Sequence, residues 1–149
     1  MEIRLRTPNG NIEPELFSTR AQEIAERIFE GQIKTNGKAN KPTQLRKFYD
    51  EVLKFNSIIK GLSPERQDEE FRELLPYLKM LNAKAAYAMG RDLITREFKD
   101  FLHQSLNQVN NKEDFEIFAG LFEAFMGFYK YYDEKGERPQ RQRDRGGRR

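Results

Sequence analysis

Residues 112–135 read KEDFEIFAGLFEAFMGFYKYYDEK, and this stretch decides the fold. Phe115, Phe118, Phe122, Phe125, Phe128, Tyr129 and Tyr132 recur at helical spacing, and apolar side chains run nearly all round its middle. A helix of that kind is either the centre of a bundle or meets another chain. The aromatic stripe therefore reads as core. Any part of it left exposed would be a subunit interface.

The flanking segments read as further helices. Before the aromatic helix, Asp92 or Thr95 opens one that ends near Asn110-Asn111, with Phe98, Leu102, Leu106 and Val109 as its buried stripe. Before that, Ser63-Pro64-Glu65 starts a long helix reaching about Gly90. Pro76 should break or kink it, because proline lacks an N–H and clashes with the preceding turn. Thr43 is a good N-cap for a helix carrying Leu45, Phe48, Tyr49, Val52, Phe55 and Ile59, closed by Gly61. Pro14 starts the first helix and Gly31 marks its end. The first dozen residues read as extended or loose, and Lys34 to Pro42 as a polar loop turning at Asn36-Gly37. The expectation is an all-α compact bundle of about five helices. Residues 1–136 form one domain, and residues 137–149, rich in Arg, Gln, Gly and Pro, form a basic disordered tail. A homodimer, formed by exchange of helices across the Pro76 or Gly90 breaks, is also expected.

Composition narrows the function. The chain of 149 residues has no Cys and one His, His103, which nearly excludes chemistry built on a thiolate or an imidazole. It has 12 Phe and 6 Tyr for a core. No apolar run approaches the roughly 20 residues of a membrane span. Met1-Glu2-Ile3-Arg4 lacks the apolar stretch of a secretory signal, so a cytoplasmic location is expected, with no membrane partner. Net charge is +3, but it is uneven. Residues 137–149 hold six Arg against two acids, and Gly31 to Gly61 holds seven Lys or Arg against two acids. A local basic surface on a near-neutral body suggests a binding face for a polyanion.

Two stretches carry that face. In Lys41-Pro42-Thr43-Gln44-Leu45-Arg46-Lys47-Phe48-Tyr49 a basic loop runs into a helix start. Helix N-termini offer free N–H groups to phosphate, Lys41, Arg46 and Lys47 add charge, and Gln44 adds a neutral donor. The alternative is an ordinary capped helix with a solvated face. In the second stretch, Lys84, Tyr87 and Arg91 fall at i, i+3 and i+7, on one helix face, with Lys79 and Asn82 nearby. A base or ribose could pack on Tyr87 while the cations neutralise phosphates. The small residues Ala83, Ala85, Ala86 and Ala88 would allow close approach. The alternative makes Tyr87 a core residue and the Ala run helix packing. The arginine tail resembles nucleic-acid-binding RGG segments, or else solubilises the chain. The acid run Asp68-Glu69-Glu70 with Glu73 reads as a solvated face, and His103 as structural. No metal or cofactor is expected.

Thr43 to Tyr49, Leu78-Lys79 through Lys84-Ala85-Ala86-Tyr87-Ala88 to Gly90-Arg91, and Phe115 to Tyr132, taken in that order and spacing, resemble one family. It is the small subunit of the type III-A CRISPR effector, the Csm complex, and the likeness runs from about Phe17 to Tyr132. The resemblance implies a compact all-α protein without catalytic activity, serving antiviral defence. Several copies would line the guide RNA–target RNA duplex and contact the backbone subunits that cut the target and the large subunit. By position, Lys41, Gln44, Arg46, Lys47, Lys79, Lys84 and Arg91 would lie along the RNA, with Tyr87 beside it. The rival expectation is a helical protein–protein adaptor that binds no RNA.

Overall fold

The Phe-rich stretch is one continuous helix, labelled α6 (Lys112–Lys135). The computed structural model describes residues 1–135, and the basic tail expected over 137–149 lies outside them. Ahead of α6 run a π-helical turn (Leu16–Arg20), α1 (Ala21–Lys34), α2 (Pro42–Lys60), α3 (Pro64–Lys79), α4 (Leu81–Gly90) and α5 (Arg96–Leu106). The protein is all-α; the only β feature among the described residues is an isolated bridge between Arg6 and Ile12.

α6 is the axis. α1 and α2 pack along it, α5 packs on α4 and α1, and α3 lies beside α2. The aromatic stripe is core: Phe115, Phe118, Phe122, Phe125, Tyr129 and Tyr132 are all buried. Phe128, named in the same stripe, is only partly buried. Phe101 of α5 sits 5.5 Å from Phe122 edge-on and 5.0 Å from Phe125, ring centre to ring centre. Such offset and edge contacts suit the aromatic quadrupole better than a face-to-face sandwich. The N-terminus of α6 is capped by Asn111, whose Oδ1 accepts the Asp114 N–H at 2.8 Å.

Several expected boundaries move, each for a physical reason. The first residues are extended but not loose. Ile3 and Leu5 are buried, and the Gln104 and Gln108 side chains of α5 bond the backbone of this segment. Pro14 lies in a turn ahead of the π-helical residues, and α1 begins only at Ala21. Gly31 does not end α1. The helix ends at Lys34 with Asn36 left-handed at φ +56°, its N–H on the Ile33 carbonyl and the Gly37 N–H on the Gln32 carbonyl. That paired pattern is a Schellman motif. Thr43 is not the cap of α2. Pro42 takes the first helical position, its fixed φ suits that place, and Lys41 before it is held extended at ψ 141°.

The long helix expected from Pro64 to Gly90 is two, and the break falls at Met80, not Pro76. Pro76 is exposed, so water can serve the carbonyl that its missing N–H leaves unpaired. At Met80 the N–H bonds the Tyr77 carbonyl at 3.2 Å, a tighter turn than the α pattern. Asp92 closes α4 as another left-handed residue, φ +61°, and Thr95 is the N-cap of α5. α5 stops at Leu106, short of the expected Asn110.

Candidate nucleic-acid interface

α2 and α4 face each other across a groove, and the two basic stretches meet there. Gln44, Lys47 and Glu51 line one wall, spaced i, i+3 and i+7 on α2. Lys84, Tyr87 and Arg91 line the other, and Phe48, Leu81, Ala88 and Leu93 form the floor of a groove of about 340 Å3. Tyr87 is 68% exposed, so it is not a core residue. The Arg91 guanidinium carbon lies 5.6 Å from its ring centre, a cation–π distance. Lys84 Nζ reaches across to Glu51 Oε1 at 3.1 Å. The groove therefore holds three cations and one carboxylate.

Five of the expected residues thus share a surface: Gln44, Lys47, Lys84, Tyr87 and Arg91. Three do not line it. Lys41 is exposed at the start of α2, Arg46 points elsewhere with Asp50 at 3.9 Å, and Lys79 is half-buried at the end of α3. The α2 N-terminus also offers less than expected. Pro42 has no N–H, and the Gln44 N–H is already taken by the Lys41 carbonyl at 2.8 Å. Phe48 is buried and Tyr49 packs on Phe122 at 5.3 Å, so of these two and Tyr87 it is Tyr87 that is open to a base. In the Ala run, Ala85 and Ala88 are buried while Ala83 and Ala86 are exposed. Asp68, Glu69, Glu73 and His103 are exposed.

The residue that sets the groove was missed. Asn40 is fully buried at φ +60°. Its N–H donates to the Leu93 carbonyl at 2.9 Å, which ties the start of α2 to the turn after α4. Its Nδ2 donates to the Ile28 carbonyl and to Thr95 Oγ1, its Oδ1 accepts the Thr95 N–H, and its carbonyl accepts the Tyr129 hydroxyl. An Asn in a polar loop gives no sequence sign of burial; only its tolerance of the left-handed conformation hints at a special place. A further cavity of about 490 Å3 has Lys38, Asp92, Thr95 and Arg96 in its wall.

The family model described as Csm2 Type III-A matches residues 12–135. The chain belongs to the Csm2 family. Among the described residues that span takes in the π-helical turn and every α-helix, and so both walls of the groove. The chain is also similar to the CRISPR system Cms protein Csm2 of Streptococcus thermophilus, 22% identical over 87 residues that cover 57% of this chain and 72% of the relative. No solved structure matches. Csm2 membership makes the chain a small subunit of the type III-A Csm complex. Among the described residues no helix is long and apolar enough to cross a membrane.

Proposed function

We propose that this subunit holds RNA by its ribose-phosphate backbone, in the groove between α2 and α4, without catalysing a reaction. One observation carries the reading. Cations from two stretches about forty residues apart, Lys47 and then Lys84 with Arg91, meet across one open groove with an exposed tyrosine among them. Phosphate contacts position a strand without reading its sequence, so base pairing between guide and target would supply specificity. Three cations give weak binding at physiological salt, and neighbouring copies on the same RNA would supply avidity.

Simultaneous replacement of Lys47, Lys84 and Arg91 by Ala tests this. Titration of a guide–target duplex over a salt series should show weaker binding, with the slope of log affinity against log salt reduced by about 2 to 3. A folded triple variant with the wild-type affinity and slope would defeat the reading.

A second reading, contact with protein alone, is favoured by an apolar groove of about 500 Å3 whose wall includes Phe17, Phe128 and Tyr131. It predicts no salt-dependent shift with RNA, and complex assembly lost on Phe17→Ser with Tyr131→Ser.

A further inference from the structure

Glu51 stands inside a groove otherwise lined by cations and neutral groups, and its carboxylate holds the Lys84 ammonium at 3.1 Å from the opposite wall. We infer that Glu51 is a built-in competitor for RNA phosphate, an affinity-setting residue that Lys84 must leave before the groove can take a backbone. The inference rests on the RNA-holding function proposed above.

Both partners are partly solvated, at 52% and 36% side-chain exposure, so the pair is weak and exchangeable. For a single anion the exchange replaces one negative partner of Lys84 with another, at little gain. For a phosphodiester chain the same exchange also brings phosphates to Lys47 and Arg91 and releases the counterions condensed on the strand. Glu51 thus favours a polyanion that engages all three cations at once over a lone phosphate or carboxylate. It also keeps one isolated copy weak, leaving firm binding to several copies on one RNA.

The test uses the full chain and a guide–target RNA duplex. Glu51→Gln keeps shape and removes the charge, and Glu51→Ala is the second variant. Both should tighten binding about two- to fivefold, the range an exposed ion pair supports. The gain should vanish when Lys84 is already Met, because Glu51 then has nothing to withhold. The control is Glu116→Gln, which removes the same charge from a Lys112–Glu116 pair, 3.5 Å apart on α6 and outside the groove. If Glu51→Gln gains no more than Glu116→Gln, or gains equally in the Lys84→Met background, the Glu51 assignment is overturned while the RNA function stands. If wild type and every variant lack salt-dependent RNA binding, the RNA function fails, and the role of Glu51 fails with it.

Discussion

Asn40 makes three side-chain hydrogen bonds from a fully buried, left-handed position. Asn40→Ala should cost about 3 kcal/mol, since it strands the Thr95 N–H, removes the second bond to the helical Ile28 carbonyl and leaves alanine at positive φ. Asn40→Gly should cost about 1 kcal/mol less, because glycine accepts that conformation freely. Urea midpoints of the two variants check both the loss and the gap. At the other end of this network, the Tyr129 hydroxyl donates to the Asn40 carbonyl and accepts from Gln32 Nε2 at 3.1 Å. Burial pushes the Tyr129 phenol well above its ordinary value of 10.0; Asp133 adds to the rise and the Gln32 bond opposes it. The fold therefore disfavours the ionised form. Its contribution is whole below about pH 10, where the unfolded phenol starts to ionise, and is lost as pH rises beyond it. Stability measured from pH 7 to 11 should fall in its alkaline half, and Tyr129→Phe should make that fall shallower at a cost of about 1 kcal/mol near neutrality. Tyr49, also raised by burial, leaves part of the decline in place.

At the scale of elements, two helix glycines look alike in sequence and should behave oppositely. Gly127 lies within α6 with nothing within 4 Å of a built Cβ, so Gly127→Ala should stabilise by about 0.5–1 kcal/mol through helix propensity. Gly31 lies inside α1, where a Cβ would meet Asn40 Nδ2 at 2.8 Å and Thr95 Cγ2 at 2.9 Å. Gly31→Ala should destabilise despite the same propensity gain, because it pushes α1 away from the start of α5 and strains the Asn40 network. Thermal melts of both variants decide it. The periodic stripes of α2, α5 and α6 were legible because burial repeats at the helical period within each segment. The end of α4 at Gly90 was legible too, but the end of α1 was not. Asn36 closes α1 as a left-handed residue, a role usually filled by glycine, while Gly31 inside the helix packs against Asn40 and Thr95, contacts that the sequence does not show.

Across the whole molecule, the N-terminal segment closes the bundle. Ile3 and Leu5 are buried, Gln104 and Gln108 bond their backbone, and Arg6 pairs with Asp114 at 2.9 Å beside the α6 N-terminus. Deleting residues 1–6 should cost about 3–6 kcal/mol for the two apolar side chains alone, read as a lower denaturation midpoint. The amino-acid sequence by itself determined the all-α class, α6 as the aromatic core, and the two stretches where cations concentrate, because helical periodicity and charge density are local properties of a chain. Only the tertiary structure decided that Gln44, Lys47, Lys84, Tyr87 and Arg91 share a groove while Lys41, Arg46 and Lys79 do not line it, and that Glu51 crosses to Lys84. The physical reason is that a groove is a relation between two helices. Its register is set by buried contacts such as Asn40 to Leu93 and Thr95, which join residues more than fifty positions apart.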